Sequence, residues 1–214
     1  MSRIEAVVCD FGGVLTTPLV ESFAAMQERA GLSLEAIGRA MARVAERDGA
    51  NPLYELETGR MTEAQFLRRL GGALREETGR EVELHGFGEA YFANLHPNRE
   101  LIAYLRSLRA RDLRLALLTN NVREWEPLWR AKLPVDELFE VVVDSAFVGM
   151  RKPDPEIFAL TLERLGLPAH ACLFLDDLDV NVEAARAAGM HAVHFRDTAQ
   201  AVADLEAALD GRAA

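Results

Sequence analysis

The chain has 214 residues, 50% of them hydrophobic and 27% charged; this is ordinary globular usage and predicts one domain, or one domain with an insertion, that buries a core without disulfide or metal staples. Lys and Arg total 24 against 34 Asp and Glu, a net charge of −10, and a surface of that sign repels phosphate backbones and anionic lipid, so nucleic acid and membranes are not expected partners. Cys9 and Cys172 each lie in an apolar run, which argues against a disulfide framework, and no leader-like or membrane-length apolar segment occurs, so a cytoplasmic location is expected.

In chain order, the first element is the apolar run at residues 4–9, near-continuous in the manner of a strand covered on both faces. From residue 17 to about residue 97 the periodicity turns helical, with amphipathic stretches at 18–30, 34–47 and 62–77. Thr62 with Gln65 has capping-box spacing. This stretch reads as a small helical bundle joined to the rest by two linkers. Four more apolar runs follow at 113–118, 139–143, 171–175 and 191–195, separated by helical patterns. Leu101, Ile102, Leu105 and Leu108 form one apolar stripe; Ile157, Phe158, Leu162 and Leu165 form another. Asp154 before Pro155 supplies an N-cap and a first-turn proline, and Gly189 falls where a left-handed C-cap belongs. The alternation predicts an α/β fold, a doubly wound parallel sheet built from residues 1–16 and 98–214, with residues 17–97 inserted as a helical domain.

In such a sheet the ligand crevice lies beyond the carboxyl ends of the strands. The first run delivers Asp10 with Gly12 and Gly13, the second Thr119 and Asn120, the third Lys152 within Arg151-Lys152-Pro153-Asp154-Pro155, and the fourth Asp176 and Asp177. Chemically this is an anion site around a carboxylate nucleophile. Asp10 can attack an electrophile, Lys152 supplies fixed positive charge, and Asp10 with Asp177 suits Mg²⁺, a hard cation that takes a few carboxylates plus phosphate oxygen and water. The Thr119 hydroxyl and backbone N–H groups near Asn120 can bind phosphoryl oxygens. The glycine pair allows a tight turn beside the nucleophile, and its carbonyls can reach a metal.

These four stations, Cys9-Asp10-Phe11-Gly12-Gly13-Val14-Leu15, Leu117-Leu118-Thr119-Asn120, Lys152-Pro153-Asp154-Pro155 and Phe174-Leu175-Asp176-Asp177, resemble in order and placement the motifs of the haloacid dehalogenase (HAD) superfamily. The resemblance implies a Rossmann-like core, a helical C1-type cap, an aspartyl intermediate and usually Mg²⁺. Carried over residue by residue, it implies Asp10 as nucleophile and metal ligand, Thr119, Asn120 and Lys152 as phosphate binders, Lys152 as charge stabiliser, and Asp177 as metal ligand together with the Gly12 carbonyl. Asp176 stands as a supporting or second ligand. The implied activity is phosphatase action on a small phosphorylated metabolite, by a monomer or homodimer.

One residue departs from the motif. HAD phosphatases usually carry a second Asp two residues after the nucleophile, as general acid and base, and this chain has Gly12. Some sugar-phosphate phosphatase-like members resemble this glycine-bearing motif. A good leaving group, a cap residue or a water can compensate; alternatively the protein binds phosphate ligands without turning them over. A 2-haloacid dehalogenase, which needs no metal, is a third reading, disfavoured because Asp176 and Asp177 are retained. Trp125 and Trp129 are expected in core or cap contacts, Cys9 in packing, Asp154 as a cap only, and Asn181 and Arg123 near the site. The five histidines show no metal-ligand spacing.

Overall fold

A computed structural model of the chain describes residues 3–18 and 31–211. Five parallel strands, β1 (Ala6–Cys9), β2 (Arg114–Thr119), β3 (Val141–Asp144), β4 (Cys172–Asp176) and β5 (His191–His194), form one sheet in the order β3-β2-β1-β4-β5. Alternation along each strand sends Val7, Cys9, Leu115, Leu117, Leu173 and Leu175 into one apolar cluster. Ala6, Val8, Ala116, Leu118, Cys172 and Phe174 enter the cluster on the opposite face. Both faces are therefore buried, which explains the continuous apolar runs.

The helices, in chain order, are α1 (Leu34–Asp48), α2 (Pro52–Glu57), α3 (Glu63–Thr78) and α4 (Phe87–Ala93) between the first two strands, then α5 (Arg99–Arg109). Short helices α6 (Glu126–Arg130), α7 (Val135–Leu138) and α8 (Ser145–Val148) surround β3, and α9 (Pro155–Leu165), α10 (Asp179–Ala187) and α11 (Thr198–Leu209) complete the wrapping. The α3 capping box forms as expected: Gln65 N donates to Thr62 Oγ1 and Thr62 N to Gln65 Oε1. The stripe on α5 is buried throughout. The amphipathic stretch expected over 18–30 lies almost wholly outside the described residues.

Two local expectations need correction. Asp154 occupies the N-cap position of α9, but its side chain accepts no capping hydrogen bond. Lys152 does not follow β3 directly, because Asp144 ends the strand by accepting from Ala146 N at 3.0 Å and so starts α8. The carboxylate cap turns the chain by one helical turn before the lysine loop begins.

Helices α1 to α3 enclose their own apolar cluster, including Ala40, Val44, Leu56, Phe66, Leu70 and Leu74, which extends to Val122 beyond β2, whereas Tyr91 and Phe92 of α4 join a cluster of the sheet. The two linkers leave the sheet side by side. Thr16 and Pro97 form an antiparallel bridge, Thr17 N donates to His96 O at 2.8 Å, and Asn98 N donates to Leu15 O at 2.8 Å. No helix among the described residues is long and apolar enough to cross a membrane.

Candidate active site

The strand ends bring all the residues singled out by the motifs to one edge of the sheet. Asp10 follows β1, and its N–H donates to Leu175 O at 2.9 Å, which seats it between β1 and β4. Lys152, only 2% exposed, donates from Nζ to Asp10 Oδ1 at 2.5 Å and to Asp176 Oδ2 at 2.6 Å. Its backbone is fixed by Asn120: Lys152 N donates to Asn120 Oδ1 at 2.8 Å, and Asn120 Nδ2 donates to Lys152 O at 2.9 Å. The Asn120 side chain thus holds the lysine loop from both its donor and its acceptor end. Thr119, buried at the end of β2, lines the same cavity as Asp10.

The acidic pair divides its work. Asp176 is fully buried; besides Lys152 it accepts from Leu178 N and Asn181 Nδ2, each at 2.9 Å, through Oδ1. Asp177 faces the glycine turn so closely that a Cβ on Gly13, whose φ is +80°, would stand 2.3 Å from Asp177 Oδ2. Only glycine permits both that backbone conformation and that approach. Asp10, Asp176 and Asp177 offer ligand atoms within 4.8 Å of one another. Three carboxylates share one ammonium, so the cluster is left with an excess of negative charge that suits a hard divalent cation.

Burial lifts the Asp10 carboxyl to about 7; Lys152 opposes the rise and Asp176 and Asp177 add to it. Asp177 is raised by burial and by Asp176. Burial works to lower Lys152, but its two carboxylate partners outweigh it and hold the ammonium above its ordinary value.

Above this floor lies a cavity of 550 Å³ roofed by the helical insertion. Three of its residues carry chemistry that the motifs did not point to. Glu57, at the end of α2, lines it and accepts from Arg151 Nε at 2.7 Å; burial raises its carboxyl and Arg151 offsets part of that rise. Tyr91 lines it from α4, its phenol pushed upward first by burial and then by Asp10, Glu57 and Asp177. Arg151 also stacks over the Tyr54 ring at 3.9 Å. Arg151 was adjacent to a motif residue and hence findable, whereas Glu57 sits 94 positions away on an insertion helix with no sequence signal.

The remaining expectations divide. Trp129 is core, but Trp125 walls the cavity and donates from Nε1 to Glu63 Oε1 at 2.8 Å. Asn181 lines the cavity. Arg123 does not; it donates to Ala146 O at 2.6 Å and lies over Phe147. Cys9 packs in the core as expected.

A family model for haloacid dehalogenase-like hydrolases matches residues 4–189. The chain belongs to the haloacid dehalogenase-like hydrolases. This HAD chain is 33% identical over 193 residues to Phosphatase MT3486 of Mycobacterium tuberculosis (strain CDC 1551 / Oshkosh), covering 88% of this chain and 86% of that protein. It is 30% identical over 211 residues to Acyl-CoA dehydrogenase family member 10 of Mus musculus; the match takes in 95% of this chain but only 19% of the mouse protein's length. A solved structure described as a predicted HAD-like family hydrolase from Porphyromonas gingivalis superposes with a TM-score of 0.71 at 25% identity, covering 96% of this chain and 98% of that one. The HAD assignment and the parallel sheet agree with the reading of the four motifs.

Proposed function

We propose that this protein is a Mg²⁺-dependent phosphatase that hydrolyses small phosphomonoesters through an aspartyl phosphate on Asp10. The observation that carries the reading is the buried contact of Lys152 Nζ with Asp10 Oδ1 at 2.5 Å on the floor of a cavity. A carboxylate oriented by an ammonium can present its second oxygen to phosphorus, and the ammonium can stabilise the charge of the incoming phosphoryl group. The phosphatase name of the mycobacterial relative supports the same chemistry.

In the first step Asp10 attacks phosphorus, the bond from phosphorus to the ester oxygen breaks, and the departing alcohol takes a proton. In the second, water attacks phosphorus, releases inorganic phosphate and returns the Asp10 carboxylate. Thr119 and the backbone N–H near Asn120 orient the phosphoryl oxygens. Gly12 offers no proton, so we assign that task to Glu57, a carboxyl that burial keeps above the ordinary range and that faces the cavity from the insertion. Glu57 gives its proton to the leaving oxygen and recovers one from the attacking water. Asp10, Asp177 and the Gly12 carbonyl would hold Mg²⁺, with Asp176 behind them, and the ion when bound neutralises phosphoryl charge as a Lewis acid.

The test is phosphate release from a broad set of phosphomonoesters, with anomeric and acyl phosphates included. Activity is expected to vanish on chelation, return with Mg²⁺, and be absent in Asp10→Asn. Absence of phosphate release from every member sinks the reading. Ligand-induced thermal stabilisation without turnover would then favour the second reading, a phosphate-ligand binding protein, for which Gly12 is the motivating residue. Halide release from 2-haloacids that persists in chelator would favour the third, a dehalogenase.

A further inference from the structure

The cavity above Asp10 has two unlike halves. Its floor holds the carboxylates, Lys152, Thr119 and Asn120; its walls within the insertion are Leu32, Met41, Phe66, Leu70, Leu74 and Leu84, with further leucines and aromatic rings beside them. Among the described lining residues, α1 to α4 contribute only Glu57 and Tyr91 as side chains able to hydrogen-bond a ligand, and Glu57 is already bonded to Arg151. The indole N–H of Trp125 is taken by Glu63. Three exposed leucines line the cavity as well: Leu34 and Leu178, each 54% exposed, and Leu53, 37% exposed.

A sugar or amino-acid moiety placed against those walls would lose water from its hydroxyl or charged groups and find only Glu57 and Tyr91 as partners among the described residues of α1 to α4, a heavy cost in an apolar setting. A hydrocarbon group gains free energy by the same transfer. The volume, 550 Å³, is far beyond a packing defect in a protein interior and falls in the range of ligand pockets. Leucines that line the cavity and remain exposed hold apolar surface in water, surface that a hydrocarbon ligand would cover.

We propose that the phosphomonoester cleaved at Asp10 carries a hydrocarbon group, an alkyl chain or aryl ring, which fills the cavity beneath the helical insertion while its phosphate rests on Lys152. The proposal rests on the phosphatase reading and gives it a substrate class. Selectivity comes from the insertion walls and chemistry from the strand ends. The bond changes are those of any phosphomonoester: phosphorus exchanges the hydrocarbon oxygen for Asp10, then Asp10 for water.

The experiment compares kcat/KM over n-alkyl phosphates from butyl to decyl, phenyl and naphthyl phosphate, glucose 6-phosphate and O-phosphoserine. Values are expected to rise about fourfold per added methylene until the cavity is full, with glucose 6-phosphate and O-phosphoserine below hexyl phosphate. Met41→Trp, a filling change at a partly buried wall position, should end the rise at a shorter chain; a rise that ends at the same chain length as in the wild type counts against the cavity as the hydrocarbon site. A flat series, or a preference for the sugar or amino-acid phosphate, overturns the proposal while leaving the phosphatase reading intact. If no compound releases phosphate, the phosphatase reading fails instead. Calorimetry with n-alkylphosphonates then judges the cavity alone: affinity that grows with chain length supports it as a hydrocarbon site, and affinity independent of length overturns it.

Discussion

Lys152 has no access to water that could replace its partners: it is 2% exposed, and it touches two carboxylates that are themselves buried. Removing one member of such a cluster leaves uncompensated charge, which is why its backbone is gripped from both sides by Asn120. Asp176 is committed to structural bonds, and Asp177 sits against Gly13 with more of its surface open. The division between the two follows from what each oxygen touches. Glu57 tests the proton assignment. Glu57→Gln keeps the size and an acceptor for Arg151 but carries no proton, so kcat for alkyl phosphates should fall about 10²- to 10⁴-fold, the usual span for a positioned acid. With p-nitrophenyl phosphate, whose leaving group needs little protonation, the loss should be slight. Equal losses on both substrates would remove Glu57 from that role. Asp10, Thr119, Asn120, Asp176 and Asp177 were legible because each lies at a strand end in a recognisable spacing, and Lys152 because of its place before Pro153-Asp154-Pro155; Glu57 was not, since its place over the floor depends on how an insertion helix docks.

At the scale of elements, the strands were legible to within a few residues because burial on both sides of the sheet leaves an unbroken apolar signature. The short helices around β3 were not, since four or five residues give too little periodicity. The junction of β3 and α8 shows how local electrostatics enters. Burial pushes the Asp144 carboxyl up to about 6, against the pull of the Ala146 N–H, with Glu126 adding to the rise. Its Oδ2 has no hydrogen-bond partner. A carboxyl raised in the folded chain binds protons more tightly there than in the unfolded chain, so it favours folding at low pH and costs stability once ionised. Asp144→Asn keeps a good capping residue without the charge. It should therefore be more stable than wild type by about 3 kcal/mol at pH 7, with the difference vanishing as pH falls from about 6 through 4. Urea unfolding of both proteins across that range measures it, and a difference that does not change with pH would refute the assignment.

For the whole molecule, the insertion and the sheet are joined at several places besides the paired linkers, among them the Trp125–Glu63 hydrogen bond. Arg151 bonds Glu57 and stacks on Tyr54, while Ser145 Oγ donates to Glu57 O at 2.5 Å and accepts from Asn121 N at 3.0 Å. Close approach is built in at Gly88, where a Cβ would stand 2.5 Å from the Trp125 indole. If Arg151 clasps the insertion to the sheet, Arg151→Ala should speed amide exchange in α2 and leave β1 and β4 unchanged; unchanged exchange in α2 would show that the other contacts suffice. The excess acidity seen in composition is partly concentrated at the strand ends, although net charge alone could not say where. Long-range assembly has a temporal side too. Lys152 is 142 residues beyond Asp10, and β1, at the centre of the sheet, must wait for β2 and β4 to be made before it has neighbours on either side. Chains are synthesised from the N-terminus, so Asp10 leaves the ribosome 142 residues before its counter-charge Lys152. During that interval Asp10 is an ordinary solvated carboxylate, and its buried cluster with Lys152 and Asp176 forms only as the later strands close around it.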